Sequence, residues 1–390
     1  MSHSFDVIIV GGGLVGASLA LALKPAGLSV AVIEPRPPQP VPDDGSWDSR
    51  VYAISPGSAA LLERCGAWQG VPQDRVTRVE SMQVCGDDAR SRLDFSAYDA
   101  GLRELAFIAE NRLLHNALWQ CLQRAEHVRV FCPAHCAAVE WNDRGAQLLL
   151  EDGTALAAKL TVGADGADSW LRTQAGIGTR PRDYGQLGVV ANFAAEYAHR
   201  GVAHQWFRRD GILALLPLPD RRVSMVWSTP EPHGRELLAL APAALAERVE
   251  TASGSALGRL ELITPPAVFP LRVQRVESIV KSRIALVGDA AHNVHPLAGQ
   301  GVNLGFRDAR ELAAVLLERG AQGDCGDYAL LRCYERARKE DIAALQLTTD
   351  ALQKLFNHDA VWLSRARNLG LRLVNRQPQL KHLLVQQAVS

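Results

Sequence analysis

The chain has 390 residues, long enough to bury a full α/β core and still carry a second region. Lysine plus arginine, 42, equals aspartate plus glutamate, 42, so the formal charge is zero and nothing global selects nucleic acid as a partner. No apolar run is long enough to cross a bilayer, residues 1–6 carry no basic leader, and the seven cysteines are odd in number and scattered, so the expectation is a cytoplasmic chain with reduced thiols.

Taken in order, Phe5-Asp6-Val7-Ile8-Ile9-Val10 reads as a buried strand. Gly11-Gly12-Gly13-Leu14-Val15-Gly16 is a glycine turn opening a helix over residues 14–24, which Pro25 and Gly27 stop. Val30-Ala31-Val32-Ile33-Glu34 is a second strand ending in a carboxylate, completing the first β-α-β unit of a dinucleotide-binding fold. Gly11 turns the chain off its strand, Gly13 lets backbone N–H groups approach a pyrophosphate at the positive end of the helix, and Gly16 lets that helix lie close to the sheet. Glu34 stands where a carboxylate accepts hydrogen bonds from ribose hydroxyls and would repel a 2′-phosphate.

Residues 35–46, rich in Pro, Asp and Gly, are a loop, and Ser55-Pro56 is the cap and first turn of a helix running to Arg64 or Cys65. Arg50 precedes that helix, and its local pattern is that of a surface arginine. Residues 81–103 read as an excursion of strands and turns, and 107–112 lead into an amphipathic helix. Residues 128–131, 137–141 and 147–155 form strands around a Glu151-Asp152-Gly153-Thr154 turn. Cys132, His135 and Cys136 invite a metal, but no second ligand pair at zinc-like spacing accompanies them, so the segment reads as a strand-adjacent turn and no metal is expected. Leu160-Thr161-Val162-Gly163-Ala164-Asp165-Gly166 is a buried strand and tight turn before a new helix.

From residue 184 to about 273, short strands over 189–193, 204–207, 212–216 and 223–227 give an antiparallel sheet, with a helix over 242–252. Trp206, Phe207 and Trp227 either pack that sheet on its helix or wall an apolar substrate pocket. Residues 284–287 form a strand ending in Gly288-Asp289, and Gly299, Gly301 and Gly305 open a helix reaching Arg319, whose free N–H groups can stabilise negative charge on a neighbouring heterocycle. The tail from Tyr328 is helical. Beyond Asp359 it has no carboxylate but carries Arg365, Arg367, Arg372, Arg376 and Lys381 among leucines, the pattern of a membrane- or partner-facing helix or of a helix capping the main domain.

Three motifs in order, Gly11 to Gly16 with Glu34, Gly163-Ala164-Asp165-Gly166, and Gly288-Asp289 with Pro296 and the glycine helix, resemble the class A flavoprotein monooxygenases of the p-hydroxybenzoate hydroxylase fold over essentially the whole chain. Asp289-Ala290-Ala291-His292, followed by His295-Pro296-Leu297-Ala298-Gly299-Gln300-Gly301-Val302-Asn303-Leu304-Gly305, is most similar to the ubiquinone-biosynthesis hydroxylases of the UbiH/UbiF/VisC group. The resemblance implies an α/β fold: an FAD-binding Rossmann-like domain from residues 1–80, 106–183 and 276–345, an inserted antiparallel-sheet substrate domain from 81–105 and 184–275, and a C-terminal helical segment, 346–390. It places Gly11, Gly13, Gly16 and Glu34 on the ADP half of FAD, Asp289 on the ribityl chain, and Arg50 and Arg112 near the pyrophosphate or ribityl region. Asp165 belongs to a motif tied to both FAD and NAD(P)H, the N–H groups of Gly299, Gly301, Val302 and Asn303 would face the flavin's pyrimidine edge, and Pro296 would lie beside its reacting face.

The implied activity is hydroxylation of the aromatic ring of a polyprenylated phenol with O2, through a flavin hydroperoxide, in ubiquinone biosynthesis. Electrons would come from NAD(P)H or a partner protein, since the chain has no second nucleotide fingerprint. Other ubiquinone-biosynthesis proteins and the inner-membrane surface are the implied contacts, with the protein cytoplasmic or peripheral. No match to the tyrosine proton relay of p-hydroxybenzoate hydroxylase stands in the chain, which leaves His292 and His295 as proton carriers by position alone. Two other readings share the flavin: a non-catalytic component of a biosynthetic assembly, and an FAD-dependent isoprenoid reductase that consumes no oxygen.

Overall fold

The computed structural model describes residues 2–86, 92–293, 301–320 and 323–356. Strand Ser2–Val10 lies between Val30–Ile33 and Ala155–Gly163, parallel to both, with Val7, Ile8 and Ile9 fully buried. Val128–Phe131 extends one edge of this sheet and Ile284–Leu286 the other. Strands this apolar need cover on both faces. Helices Leu14–Ala22, Asn111–Arg124 and Gly301–Glu318 bury one face through Leu19, Leu118 and Leu312, while the hairpin Cys136–Asn142 and Gly145–Leu150 covers the other, setting Leu148 and Leu150 against Ile8 and Val10. The first helix is shorter than expected. It ends at Ala22 and a 3-10 turn, Lys24–Ala26, takes over where Pro25 removes a donor, with Gly27 closing it at φ +64.

A second sheet has nine strands among the described residues. Its longest strand, Thr179–Ala195, begins ahead of residue 184 and pairs antiparallel with Arg222–Pro230 and Ala267–Val276. Gly211–Leu218 and Val202–Arg208 follow, and the excursion of residues 81–103 supplies Ser81–Cys85 and Arg92–Ser96, Ser81–Cys85 lying parallel to Val202–Arg208. One face of this sheet, including Val189, Phe193, Leu213 and Met225, packs on helices Glu231–Ala239 and Pro242–Ala252 through Leu237, Leu245 and Val249. The first of these helices went unforeseen, since Pro232 and Gly234 break up its apolar period. Alternation turns the sheet's other face toward the first sheet, and a three-stranded sheet, Val51–Ile54, Thr77–Val79 and Ala106–Glu110, packs Val79 and Ile108 there against Ala203 and Leu218.

Candidate active site

The glycine turn after the first strand is built by close approach. Gly11 has φ +106, and a Cβ there would lie 2.3 Å from the Ala164 carbonyl oxygen; a Cβ on Gly16 would lie 2.0 Å from the Gly11 carbonyl oxygen. Gly13 differs, because a Cβ on it would meet nothing within 4 Å. Behind that open space, helix Leu14–Ala22 has no acidic residue in its first turn and no side-chain cap, so its positive end is left for an anion. Glu34 ends the second strand against the same turn and accepts hydrogen bonds from the N–H groups of Gly12 at 2.7 Å and Arg36 at 3.2 Å.

From Gly13 a cavity of about 770 Å³ runs between the carboxyl ends of the parallel strands and the inner face of the nine-stranded sheet. It brings together Gly13, Arg50, Asp289, Gly301, Val302 and Asn303 of the expected residues. Gly11, Gly16 and Glu34 form the turn without lining the cavity. Asp165 turns away: its carboxylate accepts from the Ser169 hydroxyl at 2.5 Å and the Leu171 N–H at 3.0 Å at the start of helix Trp170–Gln174, which Ser169 caps, while its neighbours Ala164 and Gly166 line the cavity. Arg112 also stands off the lining, its N–H donating to the Asp48 carboxylate at 3.1 Å. His295, Pro296 and Gly299 lie outside the described residues.

Asp289 faces the cavity within protein walls. Burial pushes its carboxyl upward against the pull of His292 and Arg50, with Asp308 adding to the rise. The Arg50 guanidinium lies over two rings, 5.4 Å from the centre of Tyr52 and 5.2 Å from that of Phe269. Asn303 ties two distant stretches together: its Oδ1 accepts from the Ser55 N–H at 2.9 Å and its Nδ2 donates to the Ala53 carbonyl at 2.8 Å, holding the start of the glycine helix against the Ser55-Pro56 cap. Sequence reasoning missed His115, which also lines the cavity. Its Nε2 is 3.1 Å from the Gly12 carbonyl oxygen, and burial lowers its pKa. The available signal was its four-residue spacing from Asn111, which puts both on one helix face.

Four of the candidate residues, His292, Trp206, Phe207 and Trp227, stand off the cavity lining. His292 is only 3% exposed, with Nε2 2.6 Å from an Asp308 carboxylate oxygen; Asp308 also accepts from the Gly288 N–H at 2.9 Å and Arg338 Nε at 2.7 Å. It is part of the support beneath the Gly288-Asp289 turn and does not line the cavity. Trp206, Phe207 and Trp227 do not line it either. The two-residue period puts Gln205 and Val226 on the cavity and their neighbours Trp206 and Trp227 on the opposite face, where Trp227 is fully buried and Trp206 stacks on His204. Phe207 packs with Val84, Leu93 and Ile212, beside Met82 and Phe95. Cys136 stays a thiol, pushed up to about 12 by burial. Among the described residues no helix is long and apolar enough to cross a membrane.

A family model described as an FAD binding domain matches residues 4–348. The ubiquinone hydroxylase UbiL of Rhodospirillum rubrum is 36% identical, over 98% of this chain and 89% of that protein. The 3-demethoxyubiquinol 3-hydroxylase of Escherichia coli is 35% identical over 98% of each. The chain belongs to the flavin-dependent ubiquinone-hydroxylase family. FAD is the cofactor of this flavoprotein, and the open space at Gly13 before an uncapped helix fits a diphosphate. The flavoprotein shares its fold with p-nitrophenol 4-monooxygenase PnpA from Pseudomonas putida, at a TM-score of 0.80 and 18% identity over 100% of this chain and 99% of the other.

Proposed function

We propose that this flavoprotein hydroxylates the aromatic ring of a polyprenylated phenol in ubiquinone biosynthesis. The observation that supports it best is a single cavity with two unlike ends: a glycine turn and helix starts suited to a charged cofactor, and a sheet face suited to an apolar substrate. The names of the two relatives at 36% and 35% identity point to the same chemistry. Overall, ring C–H, O2, NAD(P)H and a proton become ring C–OH, water and NAD(P)+. When bound, FAD supplies the activation of O2 and the delivery of one oxygen atom to the ring.

The chain's own residues do the rest. Gly11, Gly13 and Gly16 shape the turn, and the first helix directs its N–H groups at the diphosphate, with Glu34 on the adenosine ribose. Asp289 accepts hydrogen bonds from the ribityl chain, and Arg50 approaches the same region. The first N–H groups of helix Gly301–Glu318, with the positive end of its dipole, stabilise negative charge on the flavin's pyrimidine edge. Val190, Leu216 and Val226 keep water from the reacting face. Residues 81–105 and 184–275 form the substrate side, and the remainder of 1–345 the flavin side. A nicotinamide docks transiently or a partner protein delivers the electrons, and the basic stretch from Arg365 to Lys381, outside the described residues, meets the membrane or a partner.

The test is a visible spectrum of the purified protein followed by oxygen uptake with NADPH or NADH, with and without a short-chain prenylphenol. A flavin spectrum and substrate-dependent uptake yielding hydroxylated ring are expected. Bound FAD with no hydroxylated product under either nicotinamide or a chemical reductant would overturn the assignment and favour a non-catalytic flavoprotein.

A further inference from the structure

Helix Asn111–Arg124 turns one face to the core through Leu114 and Leu118 and another to the glycine turn, where residues 111, 115 and 119 follow one another at four-residue spacing. Asn111 and His115 line the cavity. Trp119 backs the turn itself: a Cβ on Gly12 would lie 3.0 Å from Trp119 Cζ3 and 3.1 Å from Glu34 Cβ. The His115 ring meets Trp119 edge-on, with centroids 6.2 Å apart and planes at 81°. So held, its Nε2 reaches the Gly12 carbonyl oxygen at 3.1 Å.

A carbonyl oxygen only accepts, so Nε2 carries the proton of this bond and His115 is the donor. Burial lowers the pKa of the ring and favours its neutral form, in which Nδ1 then has no proton. The two polar ends of Gly12 are thus fixed from different elements: Glu34 accepts from its N–H at 2.7 Å, and His115 donates to its carbonyl. That carbonyl and the N–H of Gly13 belong to one planar trans peptide and point in opposite directions. Among the described residues no acceptor takes the Gly13 N–H, and Gly13 lines the cavity with nothing within 4 Å of where its Cβ would be. With glycine on both sides this peptide can turn over at little steric cost, since Gly13 could exchange its φ of −66 for a positive value. Turned over, it would aim a carbonyl at the diphosphate in place of a donor.

We propose that His115 is a positioning residue for the cofactor: by holding the Gly12 carbonyl it keeps the Gly12–Gly13 peptide in the one orientation that offers an N–H to the FAD diphosphate. This deepens the reading above and rests on the diphosphate lying at Gly13, not on which substrate is hydroxylated. Without the His115 donor, the anion would bind only the fraction of molecules whose peptide is correctly turned, and its apparent affinity would fall by that fraction.

The full-length protein, stripped of FAD, is titrated with FAD by quenching of flavin fluorescence, and ADP and adenosine are compared as competitors, so that no turnover enters. The wild type is expected to hold ADP about tenfold more tightly than adenosine, a difference of about 1.4 kcal/mol. His115→Met, which fills the space and removes the donor, is expected to lose about tenfold in affinity for FAD and ADP while adenosine changes by less than about twofold. His115→Gln, whose Nε2 can still donate to the Gly12 oxygen, should stay within about threefold of the wild type. Equal losses of ADP and adenosine in His115→Met would reduce the ring to packing and overturn the assignment, as would no rescue by His115→Gln. A second measurement reads the wild type directly, through the imidazole nitrogen shifts of its 11 histidines by NMR, with the His115 signal identified by its absence from either variant. A proton on Nε2 is expected, and a neutral ring protonated at Nδ1 overturns the assignment. A wild type with no preference for ADP over adenosine removes the diphosphate from Gly13, whereas a preference unchanged in His115→Met removes only the role of His115.

Discussion

Gly13 and Gly16 stand three residues apart in one turn and should fail in opposite ways. Leucine at Gly13 would project into the open space before the first helix, so Gly13→Leu should leave the apoprotein's melting temperature nearly unchanged and weaken FAD about tenfold or more in a fluorescence titration. Gly16→Ala would press a methyl against backbone, the Gly11 carbonyl oxygen at 2.0 Å, and should cost about 1–3 kcal/mol of apoprotein stability in urea unfolding. These roles were legible because a glycine turn is local: strand, turn and helix occupy adjacent residues. His115 was not legible in the same way. Which face of a strand or helix meets a cavity depends on what packs opposite, and the aromatic neighbours Trp206 and Trp227 drew attention to the wrong face.

Helix Tyr328–Phe356 fastens the floor of the site. The Tyr334 hydroxyl donates to the Leu286 carbonyl at 2.9 Å, Glu335 accepts from the Ser278 hydroxyl at 2.5 Å and the Ile279 N–H at 3.1 Å, and Arg338 reaches Asp308 beneath the Gly288-Asp289 turn. Burial alone would raise the Asp308 pKa, yet His292 and Arg338 hold its carboxyl below the ordinary range. Removing one partner from such a buried group leaves an uncompensated charge, so Arg338→Met should lower stability by about 3–5 kcal/mol. Urea unfolding of the apoprotein measures it, and a loss under about 1 kcal/mol would mean that water reaches Asp308. The sequence marked this helix by its period, but a bond from residue 338 to residue 308 leaves no periodic trace.

At the scale of the whole molecule, the loop that carries Asp48 ties the three-stranded sheet to the nine-stranded one. Its N–H donates to Glu110 at 2.6 Å and its carbonyl accepts from Asn192 Nδ2 at 2.8 Å, while the guanidinium groups of Arg75 and Arg222 lie over Trp47 at 4.0 and 5.5 Å. The parallel sheet could be anticipated from its first β-α-β unit, and the antiparallel one from its alternation. That Ser81 would align with Val202 could not be, since strand pairing at such separation is settled by the assembled core. Overall stability should also carry a pH signature from His204. Burial first, then Arg92 and His199, lower its pKa from 6.5 to about 4. Between those values the unfolded chain binds the extra proton, so stability falls as pH drops through this window, and the loss is complete below about 4. His204→Phe should flatten that part of the stability curve by about 1–2 kcal/mol relative to the wild type, after allowance for solvent screening.

Asn303 has a consequence for how the protein is made. Its side chain bonds to Ser55 across 248 residues, and the cavity needs Gly13, Asp289 and Asn303 together. The glycine turn leaves the ribosome early, but its second wall is synthesised only after most of the chain has emerged. A nascent chain released before residue 303 would therefore carry the nucleotide fingerprint without a pocket to retain the flavin, and acquisition of FAD belongs to the last stage of translation or to the completed chain.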